Sequence, residues 1–331
     1  MELATTYMGL KLKNPLVPSA SPLARDLDAV RRAEDAGAAA ITMYSLFEEQ
    51  IRFEAAELDY FLDIGKDRYA ESTSDYPEEA YDHYRVGPEA YLDQVRKVKA
   101  AVGLPVIGSL NGSTLGGWTD YARQIQDAGA DALEVNLYIL PTDQATTGAA
   151  VERLYVDVLR AVRSGVTIPV AMKLSPHFSS LPNLASKLDK AGADALVLFN
   201  RFYQPIIDVD TLDVRPDLVL STPVEARLCQ RWIAILYGHM KADLAATGGI
   251  HDATGATQAL AAGATVVNVC STVLKNGVGR ITEILKGLSE WGLAHEYASV
   301  NEMRGILSQR SCPDAQAFER ANYMKTLSSY K

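Results

Sequence analysis

One phrase recurs four times, and it restricts the fold more than any other feature of the chain. It reads DAGAAAITM at 35–43, DAGADALEVN at 127–136, KAGADALVLFN at 190–200 and AAGATVVNV at 261–269. Each copy is the end of a helix, a Gly just past it, and then an apolar run. A second phrase opens such runs: GLPVIGSL at 103–110 and TIPVAMKL at 167–174. Pro at the start of a strand removes only an N–H that need not pair. Repetition of this kind is the mark of one βα unit used many times.

The count of units closes at eight. The strands fall near Pro15–Ser19, Ala40–Met43, Val106–Leu110, Leu133–Leu137, Val170–Leu174, Leu196–Phe199, Asp243–Ala246 and Val266–Cys270. They are apolar almost throughout, as strands buried on both faces must be. The stretches between them carry helical periodicity. Tyr91, Leu92, Val95, Val98 and Val102 share one face, and Val151, Leu154, Tyr155, Val158, Leu159 and Val162 another. Asp26 is placed to cap the first helix, and Thr222-Pro223-Val224-Glu225 has the form of a capping box with Pro at N1. The expected fold is an α/β (β/α)₈ TIM barrel. A doubly wound sheet is the alternative, but the helix-to-strand phrases show no point of reversal.

The stretch from Asp243 to Arg280 tells most about ligands. It reads strand, Thr247-Gly248-Gly249, helix, strand, Ser271-Thr272, helix. Glycines at the carboxyl end of a strand admit an anion to the backbone, and a following helix adds free N–H groups. Two such turns after the last two strands of a barrel make the usual phosphate cradle. The plainer reading is a pair of tight turns.

Composition narrows the classes. A net charge of −9 without a basic cluster argues against a nucleic-acid surface. No apolar run reaches the length that spans a bilayer, and MELATTYMGL lacks the form of a secretory signal. Cys229, Cys270 and Cys312 show no metal spacing. These observations predict a cytoplasmic protein with a small-molecule substrate. Residues 1–291 are expected to form the barrel and 292–331 a helical extension packed on it. Two insertions leave strand ends, where barrel active sites lie. One is 45–86, acidic and helical in its first half, with Tyr69, Tyr76, Tyr81 and Tyr84 in a loop. The other is 199–220, whose alternation predicts a hairpin.

The strand ends present small polar groups and one Lys: Ser19-Ala20-Ser21, Met43-Tyr44-Ser45, Ser109-Leu110-Asn111, Asn136-Leu137-Tyr138, Lys173, Asn200-Arg201, Gly248-Gly249 and Cys270-Ser271. The carboxylate pair of a glycosidase is missing, as is a metal cluster. Lys173 ends an otherwise apolar strand. It can face an anionic ligand group, serve as a Schiff-base amine, or turn outward at the rim. Glu134 lies two residues before Asn136, so both can point into the barrel. Of the histidines only His177 is well placed.

Along residues 5–290 the chain resembles the FMN-dependent dihydroorotate dehydrogenases, especially their soluble class 1 branch. The resemblance rests on GLKLKNPLVPSAS (9–21), LEVNL (133–137), VAMKLSP (170–176) and above all TGGIHDATGATQALAAGATVVNVCSTVL (247–274). It implies a flavoprotein oxidoreductase of pyrimidine biosynthesis that binds FMN and oxidises dihydroorotate to orotate, and it implies a homodimer. Residue by residue it implies flavin contacts at Ser19, Ala20, Ser21, Ser109, Asn111, Asn136 and Lys173. Phosphate donors fall at Gly248, Gly249, Cys270 and Ser271. Catalytic roles fall on Lys173 and Asn136.

The departures bear on the substrate. The family follows its strand-4 Asn with a Cys or Ser that takes the substrate proton; here the segment is NLYILPTDQATT (136–147), with Tyr138, Thr142, Asp143, Thr146 and Thr147 as the nearest groups. The family Lys at the end of strand 2 falls on Met43. The loop that helps hold the orotate ring is missing from 45–86, and LSTPVE (220–225) replaces a Gly-rich turn. The resemblance therefore implies the flavin more firmly than the substrate. The alternatives are another substrate for the same flavin, or a phosphate-binding lyase or isomerase that uses Lys173.

Overall fold

Eight apolar segments become the staves of a parallel sheet that curls almost to closure in the computed structural model, which describes residues 1–48, 51, 88–112 and 115–329. The strands are β1 (Leu16–Pro18), β2 (Ile41–Phe47), β3 (Val106–Asn111), β4 (Ala132–Asn136), β5 (Val170–Leu174), β6 (Ala195–Leu198), β7 (Asp243–Thr247) and β8 (Val266–Val269). Their spatial order follows the chain from β2 round to β8 and ends at β1. The seam between β1 and β2 is bridged by the Ala39 N–H, which donates to the Leu16 carbonyl at 3.0 Å. The expected TIM barrel is the observed fold.

Each strand leads to a helix on the outside: α1 (Leu27–Asp35), α2 (Glu89–Ala101), α3 (Leu115–Asp127), α4 (Gly148–Gly165), α5 (Leu181–Ala191), α6 (Ala226–Leu236), α7 (Ala253–Ala262) and α8 (Arg280–Ala294). Asp26 caps α1 by accepting the Asp28 N–H at 2.9 Å. At α6 the Glu225 carboxylate takes the Thr222 N–H at 2.5 Å, but Pro223–Glu225 form a 3₁₀ turn before the α-helix begins. The hairpin expected within 199–220 is present, with Ile206–Asp208 antiparallel to Asp213–Arg215. The acidic helix and tyrosine loop expected over 45–86 lie almost wholly outside the described residues. After α8 the chain passes the ends of α7 and α6, where Leu307 N–H meets the Ala261 carbonyl and Gln309 N–H that of Ala234. Arg231 on α6 then holds the Phe318 carbonyl at 2.7 Å, before an exposed helix at Arg320–Ser329. Among the described residues no helix is long and apolar enough to cross a membrane.

Strand side chains alternate between two cores. The outward set, including Met43, Leu133, Val135, Met172, Leu196 and Leu244, packs against the helices. The inward set near the barrel floor is small: Ala132, Ala171, Ala195 and Ala245. The space they leave is filled by a hairpin, Thr5–Tyr7 with Leu10–Leu12, that inserts Tyr7, Met8 and Leu12. Its two-residue turn places both Met8 (φ 52°) and Gly9 (φ 77°) in the left-handed region, as a tight hairpin requires. Met8 is an unusual choice there. Asp243, at the foot of β7, compensates by accepting the Met8 N–H at 2.8 Å and the Thr265 hydroxyl at 3.0 Å.

Asp243→Ala leaves that buried N–H without an acceptor and should cost about 1–3 kcal/mol. A urea titration reads the loss; an unchanged midpoint would show that the floor does not depend on this contact.

Candidate active site

The same alternation that fills the floor with alanines brings polar groups inward toward the mouth. Along β4 the inward residues are Ala132, Glu134 and Asn136; along β5 they are Ala171 and Lys173; along β8, Val266 and Asn268. Glu134, Asn136, Lys173 and Asn268 are all buried. Lys173 Nζ meets Glu134 Oε1 at 3.1 Å. The register pairs Asn136 with Lys173, so charge and amide stand side by side at the top of neighbouring strands. Either charge alone would be expensive inside the barrel; together they are nearly neutral.

Two chambers meet at Lys173. The narrower, about 210 Å³, runs past Ser19, Ala20 and Ser21 to Gly248, Gly249, Cys270 and Ser271. The wider, about 540 Å³, lies among Ser45, Phe47, Asn111, Asn136 and Tyr138. Ala20, Lys173, Asn200 and Tyr203 wall both. A still larger cleft of about 930 Å³ lies beyond Arg201, between α6 and the C-terminal segment. It shares only Phe199, Asn200, Arg201, Thr247 and Gly248 with the narrow chamber and lacks the buried polar cluster. Chemistry therefore assigns the site to the smaller pair.

At the narrow end Gly248 (φ 89°) and Gly249 (φ 76°) are both left-handed. A Cβ on Gly249 would stand 2.2 Å from the Ala226 nitrogen, because the start of α6 lies across the turn. A Cβ on Gly248 would meet nothing within 4 Å, so that backbone faces the open chamber. Buried Ser221 ties the pieces together. Its N–H donates to Ser271 Oγ (3.0 Å), its hydroxyl accepts the Gly249 N–H (3.3 Å), and its carbonyl accepts Lys275 Nζ (3.1 Å). Burial pushes the Cys270 thiol up, while the positive charge of Lys173 pulls it the other way.

At the wide end Asn200 Nδ2 donates to Asn136 Oδ1 at 2.9 Å. Ser45 and Ser109 share a hydrogen bond of 2.9 Å. A bulge puts Ser45 there: β2 spends three steps, Thr42 to Ser45, against two on β3. Tyr138 stacks on Phe202 with ring centres 4.7 Å apart, and its hydroxyl accepts the Tyr203 N–H at 3.3 Å.

Of the residues singled out in the sequence, Ser19, Ala20, Ser21, Asn111, Asn136, Lys173, Gly248, Gly249, Cys270 and Ser271 line the two chambers. Ser109 stands one contact behind, through Ser45. Three expectations need correction. Met43 is fully buried in the outer core, so the departure noted there does not touch the chambers; the strand continues to Phe47 and presents Ser45 instead. Asp143, Thr146 and Thr147 are exposed and locally satisfied: Thr146 bonds Asp143, and Thr147 caps α4 through the Ala150 N–H. Thr142 is exposed as well, which leaves Tyr138 as the one residue of that group on a chamber wall. His177 belongs to the outer cleft, edge-on to Phe202. Sequence reading missed Asn268, Tyr203 and Ser221. The polar Asn268 within VVNV was the signal for the first; the other two depend on how the chain after β6 folds back.

The family profile described as "Dihydroorotate dehydrogenase" matches residues 68–291. The catalytic subunit of dihydroorotate dehydrogenase B (NAD(+)) from Methanothermobacter thermautotrophicus is 28% identical over 228 residues, 66% of this chain and 74% of its own. The protein of the same name from Pyrococcus abyssi is 28% identical over 316 residues, 92% of this chain and 98% of its own. The PreA subunit of NAD-dependent dihydropyrimidine dehydrogenase from Escherichia coli is 23% identical over 336 residues, 94% of this chain and 78% of its own.

Removing one member of the buried pair strands the other. Glu134→Leu should lower stability by about 3–5 kcal/mol, and Glu134→Leu with Lys173→Met should recover much of that loss. Chemical denaturation of the two single variants and the double variant measures the coupling; strictly additive losses would mean that the ions do not depend on one another.

Proposed function

The chain belongs to the dihydroorotate dehydrogenase family, and from that premise we propose that it is an oxidoreductase that holds FMN along the joined chambers. One arrangement carries the reading. Lys173 stands where a chamber ending at a left-handed Gly-Gly turn meets one walled by amides. The residues suit the cofactor. Gly248 offers backbone to the chamber without a side chain in the way, which favours a phosphate there, with Gly249, Cys270 and Ser271 around it. Ala20 leaves room along the passage between the chambers. Asn111, Asn136 and Asn200 supply the donors and acceptors that a flat, amide-rich ring requires. Bound there, FMN would supply hydride chemistry.

The protein's own groups then have distinct tasks. Lys173 provides a positive charge against a ring that becomes anionic on reduction. Glu134 holds Lys173 in place and limits the net charge. Asn136 and Asn200, bonded to each other, orient what lies above them. The substrate taken first is dihydroorotate, oxidised to orotate as in pyrimidine biosynthesis. The segment after β4 has neither Cys nor Ser, and general-base help of that kind is worth about 10²–10⁴-fold, so oxidation of dihydroorotate should be slow. A Schiff-base lyase is the weaker reading: an amine must shed its proton to attack a carbonyl, and the Glu134 contact uses Lys173 as a cation.

Freshly purified protein should be yellow, with flavin absorption between about 350 and 500 nm, the ordinary window of this cofactor. Lys173→Ala should weaken FMN binding about 10–100-fold, the value of one hydrogen bond to a charged group. Circular dichroism checks the fold of the variant. Unchanged affinity in a folded variant would remove Lys173 from the flavin. Anaerobic dihydroorotate should bleach the flavin within minutes; persistence of the colour would exclude that substrate and leave the flavin site standing.

A further inference from the structure

Among the described residues, three titratable groups face the wide chamber: Lys173, Tyr138 and Tyr203. Lys173 is committed to Glu134 at 3.1 Å. Cys270 lines the narrow chamber and not the wide one. Any proton exchanged with a molecule above Asn136 must therefore involve a phenol.

Tyr138 has the better position of the two. It lies two residues past the end of β4 (Ala132–Asn136) and walls the wide chamber together with Asn136. Stacking on Phe202 holds its ring. Its oxygen accepts the main-chain N–H of Tyr203, which leaves its own O–H to point elsewhere. That N–H also stabilises the negative charge that forms on the oxygen when the proton departs. The side chain is 38% exposed, so water can return the proton. Tyr203 sits on the loop after β6, and among the described residues no comparable donor meets its hydroxyl.

A phenol is a proton donor at neutral pH and a poor acceptor of one. We propose that Tyr138 is the proton donor of this site, and that the chemistry it supports is reduction of a C=C bond conjugated to a carbonyl. This rests on the flavin reading above. In the step, hydride adds to the carbon remote from the carbonyl. The π pair then takes the Tyr138 proton at the carbon next to the carbonyl, where a C–H bond forms as the O–H bond breaks. Water reprotonates the tyrosinate. The two electrons come, through the flavin, from a reduced nicotinamide.

The test uses FMN-loaded protein reduced by light and EDTA without oxygen, then mixed with 2-cyclohexenone or orotate while the return of oxidised flavin is followed. Wild-type protein should reoxidise with at least one of them. In D₂O the reduced product should carry one deuterium on the carbon next to the carbonyl. Tyr138→Phe should slow reoxidation about 10²–10⁴-fold and lose the solvent isotope effect, while FMN affinity and photoreduction stay as in the wild type. Tyr203→Phe tests the other phenol of the chamber; a loss equal to that of Tyr138→Phe would overturn the choice of Tyr138. Equal rates for Tyr138→Phe and wild type overturn the assignment and leave the flavin site intact. Wild-type protein reoxidised by neither alkene overturns the reductive direction. A chain that takes up no FMN overturns this inference together with the reading beneath it.

Discussion

A charge placed inside a barrel must be answered inside the barrel. Lys173 is the last inward residue of β5, and burial denies it the water that a rim lysine would have. Glu134, one strand over, answers it at 3.1 Å. The rest of the site is arranged around this near-neutral pair. Amides stand above it, a narrow chamber runs from it to the Gly-Gly turn, and small residues lie below it. A cation held in this way has a fixed position and a fixed orientation, which a solvated lysine lacks. It can act on a bound ring without moving.

The pair also explains why the floor is built as it is. Inward alanines on four strands leave a hollow that the N-terminal hairpin fills with Tyr7, Met8 and Leu12. Glu134 and Asp243 both bear on Tyr7, and burial together with these carboxylates pushes its phenol well up. Tyr7 therefore stays neutral and seals the base of the cavity with an apolar ring. Water is kept from Lys173 and Glu134 on that side, and the mouth becomes the open approach. Closure at the floor and polarity at the mouth follow from one alternation, read along strands whose lower inward positions are small and whose upper ones are polar.

Much of the candidate site was legible because strand ends and turn residues are local features. Asn136, Lys173 and Gly248-Gly249 could be placed from a few neighbouring residues each. What stayed hidden depends on contacts between distant segments. Ser45 faces the chamber through a bulge, and one extra residue in a strand reverses every side chain beyond it; Met43 and Ser45, which simple counting puts on one face, thus point opposite ways. Tyr203 and Ser221 enter because the chain after β6 folds back over the mouth. The floor hairpin was missed because its turn is Met-Gly rather than Asn-Gly, and the acceptor that supports Met8 lies 235 residues away on Asp243.

The sequence by itself determined the eightfold βα repeat, the strand order that follows from it, and the polar groups carried at each strand end. These depend on period, glycine and proline, which act within a few residues. Only the tertiary structure decided which of those groups meet. Closing the sheet brings Lys173 to Glu134 and Asn136 to Asn200, joins two chambers at one ammonium group, and seats Tyr138 beneath Tyr203. Pairings of that kind are set by register between strands and by loops returning from afar, and no local pattern of residues encodes them.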